Sequence, residues 1–224
     1  GDWGRSTPAT PQVVARVKQV ATLMQSLGHT VDELVDLELC DWPLMWETYT
    51  QQWIGSRATF GMMARDKGIG RDQLRTLLTP MSWRHYLASE RYDKFDIFRM
   101  MSGNNTLTRQ FGLLMERFDV LLTPTLAIRV PKANGPYSLL RDEDLEDWMG
   151  RLTDSCRYTM PGNETGMPSI SLPAGLDHDG LPIGVQFHGN FAREDLLLSL
   201  SAQIERARPD WFGMVPPVHV TRAD

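Results

Sequence analysis

The first part of the chain has apolar residues at the spacing of an α-helix. Thr10 and Pro11 form an N-cap and first-turn pair. The apolar residues that follow at intervals of three or four are Val13, Val17, Val20, Met24 and Leu27. Gly28 is placed to end this helix. The next stretch, HTVDELVDLE, alternates enough to predict a short strand.

Helical signals continue from Trp42 to about Phe118. A short helix in this region is expected to stop at Pro80. A long helix then begins with Ser82 as its cap, and Gly103 is a point at which it could bend. The many Trp and Met residues here favour core packing over a cofactor pocket, because methionine fills irregular interiors well.

Strand signals are concentrated in the second half. FDVLLTPT is a short apolar run ended by a proline, which predicts a buried strand that leads into a loop. Two later runs alternate apolar and polar residues and are joined by a loop that contains Asp179 and Gly180. They predict a β-hairpin, and their apolar positions are Ile170, Leu172, Ile183, Val185 and Phe187.

Two helices flank the predicted hairpin. The stretch RDEDLEDWMGRLTDSCRYT predicts an acidic helix whose carboxylates suit the first turn and the solvated face. REDLLLSLSAQIERARP predicts a final helix with Leu197, Leu200 and Ile204 facing inward, and the tail GMVPPVHVTRAD is expected to be extended. No repeat or linker separates the elements. The pattern therefore predicts one α/β domain over residues 1–224.

Composition and charge narrow the functional classes. The 224 residues are 42% hydrophobic and 23% charged, with a net charge of -5, so neither a basic face for nucleic acid nor a nucleic-acid partner is expected. No apolar run approaches the roughly 18 residues of a membrane span, so no membrane partner is expected. Cys40 and Cys156 lie outside any CxxC spacing, which predicts reduced thiols in a cytoplasmic protein with no metal site. No cofactor is expected, since the sequence contains neither a P-loop nor a GxGxxG motif.

Local chemistry does not assemble a complete active site. No G-x-S-x-G pentapeptide occurs, and Asp177-His178-Asp179 lies in the hairpin loop, where a solvated turn is the better interpretation. His188 lies among apolar neighbours on a strand and is expected to be a hydrogen-bonded structural histidine. None of the four lysines is flanked like a buried base for Ser–Lys catalysis.

The stretch PGNETGMPSISLPAG combines three prolines and three glycines. The ordered pattern that it begins is Pro161-x-Asn163-x-Thr165-Gly166-x-Pro168, Ser171-x-Pro173-x-Gly175, Gly180-x-Pro182-x-Gly184-x-Gln186-x-x-Gly189 and Glu194-x-Leu196-Leu197. This pattern, with FDVLLTPT before it, resembles the C-terminal end of the amidase signature family. The stretch GVQFHGNFAREDLLLSLSAQIERARP, from Gly184 to Pro209, resembles bacterial amidases akin to the 6-aminohexanoate cyclic dimer hydrolases.

The resemblance implies an amide hydrolase with an α/β/α fold, in which helices cover a mixed sheet. In that family a lysine acts as base through a bridging serine, and a nucleophilic serine forms an acyl-enzyme. Those groups and a Gly/Ser-rich stretch belong to the family's N-terminal half, and this sequence contains no such stretch. The chain is therefore expected to be the C-terminal half of such an enzyme, without catalytic residues and inactive alone.

The same resemblance implies that this half forms a wall of the substrate pocket. Its predicted substrate-binding residues are Asn163, Thr165, Gly166 and Met167, because in the family this segment runs near the acyl side of the site. Turn capping is an equal alternative for Asn163 and Thr165. Trp46, Trp53 and Cys156 are looser candidates.

The expected partners are a small-molecule amide substrate and the N-terminal half of the same enzyme. Exposed sheet edges and apolar faces are expected to make the chain self-associate when that half is missing. Two alternatives stay open: a non-enzymatic binding module that retains this half of the fold, and a protein like the amidotransferase component of the same family, which acts on charged transfer RNA. The acidic charge argues modestly against the second.

Overall fold

The first half of the chain is mainly helical. The computed structural model describes residues 2–34 and 39–213. Within them the helices of the first half are α1 (Pro11–Ser26), α2 (Trp42–Gly55), α3 (Ala58–Asp66), α4 (Arg71–Leu77), α5 (Pro80–Ser89) and α6 (Lys94–Leu114). None of the described helices is both long and apolar enough to cross a membrane.

The second half alternates strands and helices. Its elements are β1 (Val120–Pro124), α7 (Leu145–Cys156), α8 (Met160–Thr165), β2 (Ser169–Leu176), β3 (Pro182–Gly189), α9 (Glu194–Ala207) and α10 (Pro209–Phe212), and a 3₁₀ turn at Arg157–Thr159 joins α7 to α8. The predicted strand, hairpin and two helices are confirmed. The predicted extended tail lies outside the described residues.

Helix α1 begins and ends where its sequence signals place the boundaries. Thr10 is extended (φ -62°, ψ 142°) and Pro11 occupies the first turn. At the other end Gly28 adopts φ 93°, and the N–H of His29 donates to the Met24 carbonyl at 3.1 Å. Glycine accepts the left-handed backbone that this type of helix end requires.

The strand predicted from His29 is wrong over the residues that the structure describes. Residues 29–34 form no strand, and residues 35–38 of the predicted element lie outside the described ranges. A strand needs a neighbour that pairs with its backbone groups, and the described strands pair only with one another. Alternation in a short sequence does not reveal whether such a neighbour is in reach.

The chain from Pro80 to Leu114 forms two helices, not one. Thr79, not Ser82, caps the first, because its side chain accepts the N–H of Ser82 at 3.3 Å. Pro80 begins this helix in the first-turn position and does not end the preceding one. Asp93 starts the second helix with a capping box, whose reciprocal side-chain bonds favour a new helix over continuation.

Gly103 does not interrupt α6 but allows it to approach α2. A β-carbon added at Gly103 would collide with Oγ1 of Thr48 on α2. Thr48 is buried, so a larger side chain at position 103 has no room there. The absence of a side chain thus sets the distance between the two helices.

The three strands form one sheet in the order β1-β3-β2. Both outer strands pair antiparallel with β3, with Leu122 opposite Phe187 and Ile170 opposite the same residue. The predicted α/β class is confirmed. All strand pairing within the described residues is antiparallel, whereas the resemblance implies a mixed sheet.

Helices cover both faces of this sheet. Leu121 packs into one apolar cluster, while its neighbours Val120 and Leu122 pack into another, because successive side chains of a strand point to opposite faces. The first cluster joins the sheet to α2 and α6 through Met45, Leu107 and Phe111. The second joins it to α1 and α9 through Val20, Met24, Leu197, Leu200 and Ile204. A third, smaller cluster lies among α2, α5 and α7.

Candidate functional site

The motif segment begins as a short helix. Pro161 occupies the first turn of α8, and Gly166 ends it with φ 76° while its N–H donates to the Gly162 carbonyl at 3.0 Å. Pro168 then leads into β2. The segment is therefore a helical turn that ends on a left-handed glycine and enters the sheet directly.

The four predicted substrate-binding residues are divided between surface and interior. Asn163 and Gly166 are exposed, whereas Thr165 and Met167 are buried. Oγ1 of Thr165 donates to the Pro161 carbonyl at 2.5 Å and accepts the N–H of Met167 at 3.3 Å. Met167 packs in the apolar cluster with Tyr158. The hydroxyl of Thr165 thus serves as a cap of its own turn.

Trp46 and Trp53 lie on one face of α2 with Tyr49 between them. The ring centroids of Trp46 and Tyr49 are 6.5 Å apart, and those of Tyr49 and Trp53 are 5.9 Å apart. Cys156, at the end of α7, packs in the same cluster. The structure therefore brings together the three looser candidates of the sequence analysis, next to the α7–α8 connection.

Glu164 is the functional candidate that sequence reasoning missed. Its side chain lies in α8 between Asn163 and Thr165, it is 5% exposed, and Oε2 has no hydrogen-bond partner among the described residues. Burial raises the pKa of this carboxyl to about 7, because removal from water disfavours the charged form. The sequence did contain a signal, since Glu164 is the single charged residue between Arg157 and Asp177.

This carboxyl influences Tyr49 electrostatically. Burial, followed by the neighbouring Cys156 and Glu164, raises the pKa of the Tyr49 phenol. A hydrogen bond with the Cys156 side chain also acts on this phenol, whereas the buried Nε1 of Trp53 has no hydrogen-bond partner among the described residues. We call the group formed by Tyr49, Trp53, Cys156 and Glu164 the Glu164 cluster.

The thiol of the Glu164 cluster is not a nucleophile. Burial raises the pKa of Cys156 to about 11, and its Sγ donates to the Leu152 carbonyl at 3.0 Å. Because the thiolate is the reactive form of cysteine, a protonated and hydrogen-bonded thiol has a packing role here. Burial and then Asp41 raise the pKa of the Cys40 thiol to about 12, so this thiol is protonated too.

Ser169 and His188 form a hydrogen bond that superficially resembles a catalytic dyad. Ser169 Oγ lies 2.8 Å from His188 Nδ1. The other ring nitrogen, Nε2, lies 2.9 Å from the amide nitrogen of Gln186, which also donates to the Tyr158 carbonyl at 3.2 Å. An amide NH₂ only donates, so Nε2 accepts and Nδ1 bears the proton. His188 therefore donates to Ser169 and is not able to remove its proton.

The hairpin loop is a structural turn. The carboxylate of Asp177 accepts the N–H groups of Asp179 and Leu181, both at 2.9 Å, and pairs with Arg129 at 2.5 Å. Arg129 also pairs with Asp179. These bonds, the Arg129 bond first, lower the pKa of Asp177 to about 2. Within the described residues no group of three His, Cys, Asp or Glu side chains is arranged to hold a metal ion.

A family sequence model and individual relatives both relate this chain to amidases. A sequence model described as Amidase matches residues 4–198. The AmiC protein of Mycobacterium tuberculosis (strain ATCC 25618 / H37Rv) is 31% identical over 219 residues, which cover 93% of this chain. A Glutamyl-tRNA(Gln) amidotransferase component of Synechococcus sp. (strain WH7803) is 33% identical over 159 residues, which cover 71% of this chain.

A solved structure of the same family superposes on nearly the whole chain. It is the 6-aminohexanoate cyclic dimer hydrolase complexed with substrate, with a TM-score of 0.82 and 26% identity over 96% of this chain. The chain spans 45% of that structure, 42% of the AmiC protein and 30% of the amidotransferase component. It thus corresponds to less than half of the relatives that it matches.

Proposed function

This chain belongs to the amidase signature family, and we propose that it is the C-terminal half of an amide hydrolase that supplies part of the sheet and one wall of the substrate pocket. The observation behind this proposal is the coverage: 96% of the chain superposes on 45% of a family member. The catalytic serines and lysine are then expected in the other half of the enzyme.

The described side chains support a location of the catalytic groups in the other half of the enzyme. All four lysines, Lys18, Lys67, Lys94 and Lys132, are exposed, whereas a lysine base needs burial that lowers its pKa. His188 donates to Ser169 and therefore does not activate it. We expect the family's lysine, bridging serine and nucleophilic serine to form the acyl-enzyme from the missing half.

On the substrate side, this half offers the α8 segment and the aromatic face of α2. Asn163 and Gly166 are exposed and free to contact an amide substrate, and Trp46 and Trp53 lie beside the same segment. Apolar walls with a few polar groups are typical of small-molecule sites. No cofactor is part of the proposal, because acyl transfer through serine needs none.

The proposed partner is the N-terminal half of the same enzyme. A groove of about 910 Å³ runs between α1 and β1, and its lining includes apolar side chains of both elements, Val14, Val17, Met24, Leu121 and Leu122. β1 is also an outer strand of the described sheet, so its free edge is available for further pairing. We expect residues 1–224 alone to self-associate through these surfaces, and we place the enzyme in the cytoplasm without a nucleic-acid or membrane partner.

Activity measurements on two versions of the protein test the proposal. The full natural chain that contains these residues and the isolated 224-residue segment are each assayed with a linear anilide and a cyclic amide. We expect hydrolysis by the full chain and none by the segment, and recovery of activity when the segment is mixed with the separately produced remainder. Turnover by the folded segment alone, unchanged by replacement of any one serine, contradicts the proposal.

The amidotransferase alternative rests on the 33% identity to the Synechococcus protein. It predicts glutamine hydrolysis coupled to amidation of charged transfer RNA, with no hydrolysis of simple anilides. The net charge of -5 disfavours direct contact with RNA phosphates. The non-enzymatic alternative predicts an intact gene with no Gly/Ser-rich segment upstream, which the reading frame before Gly1 reveals directly.

A further inference from the structure

The ring of His85 contacts two hydrogen-bond acceptors in the interior between α5 and α7. Nδ1 lies 2.9 Å from the carbonyl oxygen of Met81, on the same helix. Nε2 lies 3.2 Å from Sδ of Met149, on α7. Both side chains are buried, since His85 is 2% exposed and Met149 is 5% exposed. A neutral imidazole has one N–H group and therefore serves only one of the two acceptors.

The Met81 carbonyl receives the single proton of the neutral ring. A carbonyl oxygen is a strong acceptor and a thioether sulfur is a weak one, so Nδ1 bears the proton and donates to Met81. Nε2 then presents its lone pair to the lone pairs of the Met149 sulfur across 3.2 Å. This contact becomes attractive when a positively charged group, either a proton or a metal cation, lies between the two atoms.

The surroundings of the ring disfavour a proton at Nε2. Burial lowers the pKa of His85, the hydrogen bond to the Met81 carbonyl opposes this only in part, and the charge of Arg57 lowers the pKa further. The groups that shift this pKa include no carboxylate. An imidazolium ion here would therefore be a buried cation without a counter-ion, which is costly.

The neighbouring side chains suit a soft metal ion. Met149 packs in one cluster with Met81, Met160 and Trp148, and the Trp148 ring lies edge-to-face with His85, with ring centroids 5.3 Å apart. Thioether sulfur is a soft ligand that selects Cu(I), and imidazole also binds copper. A metal-bound histidine almost always donates its other N–H group to a carboxylate, a carbonyl or water, which is the role of the Met81 carbonyl.

We propose that Nε2 of His85 and Sδ of Met149 form a binding site for Cu(I), and that the bound ion links α5 to α7. The pair releases no proton on binding, because neither the thioether nor Nε2 carries one. Cysteine spacing does not reveal this site, since the pair contains no cysteine. The inference goes beyond the proposed hydrolase function and does not depend on it.

Anaerobic titration of the full natural chain with Cu(I), in competition with a chromophoric Cu(I) chelator, tests the site. The thiols of Cys40 and Cys156 are also potential Cu(I) ligands, so the informative quantity is the difference between wild type and a variant that keeps both thiols. We expect wild type to bind one more equivalent of Cu(I) than variants that lack either proposed ligand.

Two substitutions remove one ligand each. Met149→Leu removes the sulfur and nearly conserves the volume. His85→Asn removes Nε2 and retains an N–H donor for the Met81 carbonyl. Each variant should lose the additional equivalent or bind it more weakly by at least about 10- to 100-fold, the loss that follows removal of an outer partner of a metal site. Met45→Leu, a buried change in the cluster that joins the sheet to α2 and α6, is the matched control and should keep the equivalent.

Thermal unfolding gives an independent readout. Cu(I) should raise the melting temperature of wild type more than that of Met149→Leu, because an ion that binds only the folded state stabilises it. Zn²⁺ at the same concentration should raise it less, since a thioether and a single imidazole suit Cu(I) better.

Four results overturn the inference. The first is equal Cu(I) binding by wild type and Met149→Leu, and the second is the same loss of binding in Met45→Leu. The third is tighter binding of Zn²⁺ than of Cu(I) at this pair. The fourth is a nitrogen NMR spectrum of the metal-free protein at neutral pH in which both ring nitrogens of His85 are protonated. No substrate is used in these measurements, so failure of the proposed hydrolase function is recognised separately.

Discussion

His188 donates its Nδ1 proton to Ser169 across 2.8 Å, while its other ring nitrogen accepts from Gln186 at 2.9 Å. The ring is fully buried, and burial lowers its pKa to about 4. The side chain is thus a neutral connection between β2 and β3, with its protonation state set by its neighbours.

Replacement of Ser169 tests this assignment. Ser169→Ala should leave amide hydrolysis by the full chain within about threefold of wild type, because this serine is not activated. The free energy of unfolding should fall by about 1 to 2 kcal/mol, since the buried Nδ1–H of His188 loses its acceptor. The control is Ser171→Ala, on the same strand, where the hydrogen bond to Thr125 is more exposed. This control should lower the free energy of unfolding by less than Ser169→Ala does. A hundredfold loss of activity in Ser169→Ala would show that the serine is catalytic.

His188 should make the protein less stable in mild acid. Its folded pKa of about 4 lies below the ordinary value, so the unfolded chain takes up the proton first. Stability is therefore full above about pH 6.5 and falls as the pH drops towards 4, by roughly 3 kcal/mol in total. Denaturant unfolding measured across this range should show the decline in wild type and a flatter profile in His188→Gln.

Glu164 should have the opposite effect in an overlapping range. Its folded pKa of about 7 lies above the ordinary value of a carboxyl group, so the unfolded chain loses the proton first as the pH rises. Its contribution is present below about pH 4.5 and is lost between there and pH 7. Comparison of Glu164→Gln with wild type over this range isolates the effect. Equal slopes in the two proteins would mean that the carboxyl is not desolvated.

The contact between α2 and α6 predicts different results for two glycines of the same helix. Gly103→Ala should destabilise the protein by about 1 to 3 kcal/mol, because the new methyl group meets Thr48. Gly112→Ala should stabilise it by about 0.5 to 1 kcal/mol, since its nearest neighbour would be 3.8 Å away and alanine favours helices. Thermal unfolding measures both. Thr48→Ala in the Gly103→Ala background should recover part of the loss.

Substitution of Gly166 should lower the free energy of unfolding through backbone strain alone. A β-carbon there meets nothing within 4 Å, but φ is 76°, so Gly166→Ala should lose about 1 to 2 kcal/mol. Gly166→Asn should lose less, because asparagine accepts the left-handed region more readily. Gly150→Ala, also without close neighbours but inside α7, is the control and should be neutral or stabilising in the same unfolding measurement.

The sequence by itself determined the elements whose signals are local. Thr10, Pro11 and Gly28 bound α1 because caps and turns depend on a few neighbouring backbone groups. The hairpin followed from two alternating runs and an Asp-Gly loop for the same reason. At the start of α5 the predicted cap, Ser82, was wrong: the structure uses Thr79, which directly precedes the proline of the first turn.

Only the tertiary structure decided which of these elements meet and which groups are buried. The residues from His29 to Leu34 alternate like a strand but pair with no described strand, since pairing depends on distant residues. Glu164 stands out in sequence only as the single charged residue between Arg157 and Asp177, and its burial is decided by the packing of segments that lie far apart along the chain. Local hydrogen bonds are encoded by neighbours, whereas desolvation is produced by packing between distant segments. The raised pKa of Glu164 is therefore a property of the fold.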